Sequence, residues 1–144
     1  MKVYTGIDII EVARIENALT QNGGFRDKVF TESEIRCCEA AGLHKYESYA
    51  ARFAAKEAAA KAFGCGVGAQ FSFKDCEILK EDTGKPVLHF TGNALLLANR
   101  LKIHATDVSL THIKDTAAAT VIMIGERETD VEGKTESESA QVRK

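Results

Sequence analysis

The spacing of apolar residues changes period several times along this chain, and each change marks an element. Residues 3–10, VYTGIDII, are a β-branched run broken by Gly6 and Asp8, which predicts a strand ending near Asp8 with a helix after it. On that helix Ile10, Ala13 and Asn17 share one face, Ile15, Ala18 and Leu19 add apolar surface, and Gly23-Gly24 closes it. Thr31-Glu32-Ser33-Glu34 has the spacing of a capping box, so a second helix is expected over residues 32–41 with Gly42 at its end. Residues 46–63 hold neither glycine nor proline and are rich in alanine, which predicts the longest helix, broken by Gly64, Gly66 and Gly68.

Beyond these glycines the period shortens to two. Residues 71–79 and 86–90 read as a hairpin turning at Glu81-Asp82-Thr83-Gly84, and residues 107–113 and 116–124 as a second one turning at Lys114-Asp115. Residues 93–101 make a short apolar helix between them. The order strand, three helices, hairpin, helix, hairpin predicts an α+β fold, with an antiparallel sheet packed against helices. After Gly125 the chain turns to Glu, Thr, Ser and Lys, so a domain over residues 1–126 and a polar, disordered tail over 127–144 are expected.

Composition narrows the class. A chain of 144 residues, 44% hydrophobic and 28% charged, suits one domain with a real core. The net charge of −2 provides no basic field for nucleic acid. MKVYTGIDII lacks the apolar stretch of a signal peptide and no run approaches the ~20 apolar residues of a membrane span, so a cytoplasmic location is expected. Cys37 and Cys38 are adjacent, Cys65 and Cys76 far apart, and no CxxC spacing occurs. Reduced structural thiols are the expectation, with Cys65, between two glycines, the alternative as an exposed redox handle.

The candidate chemistry is acidic and basic. Asp8 lies in an apolar strand, where a carboxylate is costly unless exposed or paired; it is either an acid at a frayed end or N-cap, or a ligand. The long helix carries Arg52, Lys56, Glu57 and Lys61 at four-residue spacings. These form a solvated face with one Glu57–Lys61 pair, or else Glu57, which shares its stripe with Phe53 and Ala60, points at packed surface and needs a cation. Asp8 and Glu57 suit a hard ion such as Mg²⁺, which takes one or two carboxylates together with substrate phosphates, provided the strand end lies beside the helix. Gly64-Cys65-Gly66-Val67-Gly68 is a helix cap and turn, or a place for close phosphate approach with Lys61 offsetting the helix dipole. Lys85 sits on a hairpin turn. His112 falls on the side of Val108 and Leu110, which fits a core histidine; Ser109 faces the other way.

In order along the chain, GIDIIEVARI (residues 6–15), FTESE (30–34), RFAAKEAAAKAFGCGVG (52–68), FSFKDCEIL (71–79), GKPVLHF (84–90) and VSLTHIKDTAAATVI (108–122) resemble the bacterial holo-acyl-carrier-protein synthase family. The resemblance implies a 4′-phosphopantetheinyl transferase fold and an enzyme that moves 4′-phosphopantetheine from coenzyme A to a serine of apo acyl carrier protein. The other product is 3′,5′-ADP, and the reaction serves fatty acid biosynthesis. It implies Asp8 and Glu57 as magnesium ligands, Lys61 as a phosphate contact, and Gly64, Lys85, Pro86, Ser109 and His112 around the adenosine and its 3′-phosphate. Arg14 would contact the carrier's acidic helix. The family's assembly implies a homotrimer with active sites between subunits. One departure touches docking: relatives often carry a basic residue where this chain has Gly24, which leaves Arg26 or Lys28 to supply that charge. Two other classes share these residues, a metal-dependent hydrolase of nucleotide pyrophosphates and a non-catalytic module that docks acidic helices.

Overall fold

A computed structural model describes residues 1–21 and 23–127; most of the expected tail lies outside the described residues. Strand β1 (Lys2–Glu11) leads into helix α1 (Val12–Thr20), a short α2 (Phe25–Val29), α3 (Glu32–Glu39) and the long α4 (Lys45–Phe63). The hairpin β2 (Cys76–Lys80) and β3 (Pro86–Phe90), helix α5 (Gly92–Arg100), and strands β4 (Ala105–His112) and β5 (Thr116–Gly125) follow. The α+β class holds, with two antiparallel sheets, a three-stranded β1-β5-β4 and the separate β2-β3 pair.

Strand β1 runs three residues past Asp8, because it pairs along its whole length with β5, from Lys2 opposite Gly125 to Glu11 opposite Thr116. Asp8 is therefore mid-ladder, opposite Ala119, and not at a frayed end. Helix α1 buries Val12 and Ile15, while Ala13 and Asn17, expected on the packed face, are exposed. Ile10 belongs to the strand, so it cannot set the helical stripe. The first strand of the β2-β3 hairpin begins at Cys76; Phe73–Asp75 ahead of it form a 3-10 turn that Asp75 caps through Ser72.

Helix α4 is the spine of the fold and matches its expected span to one residue. Six of its alanines, from Ala50 to Ala60, are fully or almost fully buried at 0–1% exposure. Small side chains let it lie close over β1 and β5, and the helix ends at Gly64, whose φ of 79° only glycine adopts cheaply. The capping box at Thr31 is present as expected: the Thr31 Oγ1 accepts from the Glu34 N–H, and Glu34 Oε1 accepts from the Thr31 N–H at 2.9 Å. An aromatic cluster of Phe25, Phe30, Tyr49, Phe53 and Phe73 fills the space between α2, α3 and α4.

Candidate functional site

The alternation of β1 fixes which residues meet α4. Gly6, Asp8 and Ile10 point to the helix side, and a Cβ on Gly6 would run into the backbone of Ala58 and Ala62. Two residues on, Asp8 lies beside the last turns of α4. Lys61 Nζ donates to Asp8 Oδ1 at 2.9 Å and to the Ile7 carbonyl at 3.0 Å. Burial pushes the Glu57 carboxyl above the usual glutamate range, and the charge of Asp8 pushes it further; Lys61 and Arg14 pull the other way. Asp8, Lys61 and Arg14 thus all act on Glu57 across β1, α4 and α1. Lys61 pairs with Asp8 rather than with Glu57, its neighbour four residues back. The solvated-face reading of α4 fails for Arg52 and Lys56, which are 3% and 0% exposed.

Among the described residues no group of three or more His, Cys, Asp or Glu side chains could enclose a metal. A cation at Asp8 and Glu57 would find two carboxylates and must take its remaining ligands from substrate and water. That incomplete oxygen set is the usual protein share for Mg²⁺ and unlike a structural Zn²⁺ or Ca²⁺ cage. Burial first, and then the neighbouring Asp8 charge, make the ionised form of Glu57 costly, a cost that a cation at the pair would offset.

A second group of expected residues gathers elsewhere. Lys85, Pro86, Ser109 and His112 line one cavity of about 430 Å³, together with His44, Ser48, Arg52 and Lys80. Lys85 Nζ bonds Asp107 Oδ1 at 2.7 Å, which holds the Asp107 carboxyl below its usual range. Arg52 is the residue that sequence reasoning missed. Its guanidinium donates to Ser48 Oγ at 2.7 Å and touches Cys37 Sγ at 3.0 Å, and its buried Nε has no partner among the described residues. A buried cation without a carboxylate is expensive, and its presence gives this wall of the cavity a positive charge that an anion would suit. The available signal was Arg52 beside a phenylalanine in an alanine-rich helix, where a purely solvated charge is out of place.

Among the described residues the cavity that holds Lys85, Pro86, Ser109 and His112 is not lined by Asp8, Glu57 or Lys61. Asp8, Ala119 and Leu110 lie in one register row across β1, β5 and β4, about 10 Å from end to end by strand spacing. Asp8 and Leu110 stand at the two ends of that row, and α4 packs on β1 and β5 between them. Gly64 lines a third hollow, beside Phe63, Cys65, Tyr4 and Leu97. Of the docking residues, Arg14 is exposed on α1 near Glu57, and Arg26 is exposed on α2 with Asp27 at 3.5 Å. All four cysteines are free thiols, and burial raises Cys38, Cys65 and Cys76, which makes them poor nucleophiles. No helix among the described residues is long and apolar enough to cross a membrane.

Comparison with known proteins agrees along the length of the domain. The profile of the 4′-phosphopantetheinyl transferase superfamily matches residues 4–121. A holo-[acyl-carrier-protein] synthase of Ruminiclostridium cellulolyticum is 47% identical over 129 residues, 88% of this chain and 96% of the relative. That of Alkaliphilus oremlandii is 44% identical over 119 residues, covering 83% of this chain and 96% of the relative. Among solved structures, the Helicobacter pylori holo-[acyl-carrier-protein] synthase in complex with coenzyme A superposes with a TM-score of 0.74 at 31% identity, covering 83% of this chain and 99% of that one. A Bacillus anthracis holo-(acyl-carrier-protein) synthase in complex with CoA (3′,5′-ADP) gives a TM-score of 0.70 at 35% identity, with 86% and 96% coverage.

Proposed function

The chain belongs to the holo-[acyl-carrier-protein] synthases of the 4′-phosphopantetheinyl transferase superfamily, which move phosphopantetheine from coenzyme A to apo acyl carrier protein, and we propose that it does so with Asp8 and Glu57 as magnesium ligands. The observation that carries this reading is the convergence of Asp8, Glu57 and Lys61, which come from segments about fifty residues apart. When bound, the ion would neutralise charge on the diphosphate of coenzyme A.

The chain's own residues do the rest. Lys61, half exposed at the end of α4, offers its ammonium to the phosphate that is transferred. Arg52, His112 and Lys85 hold the 3′-phosphate end of the nucleotide in the 430 Å³ cavity, with Pro86 and Ser109 shaping its wall. The carrier serine attacks the β-phosphorus, the new O–P bond forms, the bond to 3′,5′-ADP breaks, and the serine proton leaves to a base. Glu57 fits that task, since burial and the Asp8 charge make its carboxylate a stronger base than a free glutamate. As a ligand Glu57 would share its carboxylate between holding the ion and taking up the serine proton. Arg14 lies beside this pair and Arg26 on the next helix, so an acidic carrier helix laid across α1 and α2 brings its serine to Glu57.

Magnesium and a homotrimer complete the reading. Val3, Ile7, Ile9 and Ile122 project from the sheet face opposite α4 at 45–69% exposure, an apolar patch suited to burial against another copy. Because neither carboxylate lines the nucleotide cavity of its own chain, a site shared with a neighbouring subunit's cavity fits this reading.

The test is intact-mass analysis of apo acyl carrier protein incubated with this chain, coenzyme A and Mg²⁺. The carrier should gain one phosphopantetheine, EDTA should abolish the gain, and Asp8→Ala or Glu57→Ala should lower the rate at least a hundredfold while the melting curve stays cooperative. Near wild-type transfer by either variant would overturn the assignment. Release of free phosphopantetheine without a carrier would point to hydrolysis instead.

A further inference from the structure

Lys61 does more here than wait for a phosphate. Its ammonium comes from the solvent side, 55% exposed, and closes over an Asp8 carboxylate that is 16% exposed. It bonds Oδ1 at 2.9 Å and is held in place by the Ile7 carbonyl at 3.0 Å. Glu57 receives no hydrogen bond from the described residues, although Lys61 acts on its charge. The lysine therefore occupies one of the two Asp8 oxygens open to a divalent ion, with the Ile7 carbonyl as a second anchor for the same ammonium.

Resting on the assignment of Asp8 and Glu57 to the metal, we propose that Lys61 is a latch that makes metal and donor bind as a coupled pair. A cation arriving alone must displace Lys61 from Asp8 or share the carboxylate with it, and in either case it sits beside an ammonium that has gained no new partner. A donor diphosphate changes both terms. Its oxygens give Lys61 somewhere to go, so Asp8 is released to the ion as the phosphate is taken up. By linkage the ion must tighten the donor by the same factor as the donor tightens the ion. The device keeps the carboxylates occupied until a substrate worth clamping is present.

The latch predicts a change in coupling, which separates it from simple repulsion. Any positive charge near the site weakens metal binding, with or without donor. A latch weakens it only when the donor is absent. Mn²⁺ affinity is measured by electron paramagnetic resonance on the wild-type chain and on Lys61→Met, each without and with saturating coenzyme A, and no carrier protein. The binding of Mn²⁺ to free coenzyme A is subtracted. Lys61→Met should bind Mn²⁺ alone about threefold to fivefold tighter, the size a half-exposed ion pair supports. The tightening of Mn²⁺ by coenzyme A should shrink by a similar factor relative to wild type. Lys61→Arg, which keeps the charge and can fork onto Asp8, should retain the wild-type coupling.

An equal coenzyme A effect in wild type and Lys61→Met overturns the latch, as does unchanged or weaker Mn²⁺ binding by the variant alone. Asp8→Asn separates this failure from failure of the site itself. If that variant binds Mn²⁺ as well as wild type, the metal lies elsewhere and both readings fall. If it loses Mn²⁺ while the coupling is unaltered by Lys61→Met, the metal site stands and only the latch is wrong.

Discussion

The buried charge pair one residue before Glu57 gives the sharpest stability prediction. Lys56 and Glu34 are both shut off from solvent, and Lys56 Nζ donates to Glu34 Oε1 at 2.8 Å, the Phe73 carbonyl at 3.0 Å and the Cys76 carbonyl at 2.6 Å. Glu34 in turn accepts from the N–H groups of Thr31 and Ile78, each at 2.9 Å. One pair of side chains therefore bolts α3, α4, the 3-10 turn and β2 together. Replacing Lys56 with methionine fills the stem but removes all three donated bonds. Breaking a buried pair by deleting one partner costs about 3–5 kcal/mol, and the two orphaned carbonyls push the figure to the upper part of that range. We expect Lys56→Met to lose about 4 kcal/mol, out of a total that for a domain is only about 5–15 kcal/mol. In urea, with a slope of about 2 kcal/mol per M, the midpoint falls by about 2 M. The assay is equilibrium denaturation followed by circular dichroism at one fixed protein concentration. A cycle with Glu34→Gln should show a coupling of about 2 kcal/mol or more, because each single change leaves the other charge stranded. A loss below about 1 kcal/mol, or no coupling, would refute the bolt; the pair would then be incidental to stability.

Two further expectations bear on the site. In the metal-free chain, ¹³C-detected titration of the Glu57 side chain should show a midpoint above the usual glutamate range, since burial and Asp8 both raise it; Asp8→Asn should move that midpoint down. The sign for stability follows: a carboxyl raised on folding makes the native state bind more protons, so this group's cost is full above the folded midpoint and relieved as pH falls toward the unfolded one. No movement on Asp8→Asn would mean that the two carboxylates do not sense each other. Gly6→Ala should cost at least about 3 kcal/mol by thermal or urea melting, at the upper end of overpacking effects, because the added methyl meets helix backbone and not a movable side chain.

The elements that the sequence announced are those whose signals are local. The α4 helix follows from an alanine run without breakers, and the α3 start from Thr31 and Glu34 three residues apart. The five-residue α2 was invisible, since it is too short to show a period. Strand β1 outran its expected end because its length is set by β5, more than a hundred residues away. Charge was harder still. Glu34 looked fully employed as a cap, and nothing nearby hinted that its capping oxygen would also take Lys56 or that its second oxygen would accept from Ile78 in the core. Lys61 invited pairing with Glu57 at helical spacing, yet its partner is Asp8, 53 positions earlier. The candidate pair was legible because Asp8 and Glu57 each sit where a carboxylate is locally unwelcome; Arg52 carried the same sign of misfit and lines the second cavity.

Misfit alone does not bring residues together, and here small side chains do that work. Asp8 reaches α4 only because Gly6, two residues before it on the same face of β1, lets the strand touch the helix at Ala58 and Ala62. Those alanines bracket Lys61 and follow Glu57, so the closest contact between strand and helix lies directly beside the candidate chemistry. A larger residue at any of the three positions would lift α4 from the sheet. The first distances to open would be those from Asp8 to Lys61 and Glu57, before the core further down the helix felt much change. The alanine-rich packing of this fold therefore sets the spacing of its candidate site: small residues at the strand–helix contact hold two carboxylates and a lysine at their observed separation. Activity should accordingly fall before stability does along a series Ala62→Ser, Ala62→Val, Ala62→Leu, and parallel loss of both would show that the spacing has no special role.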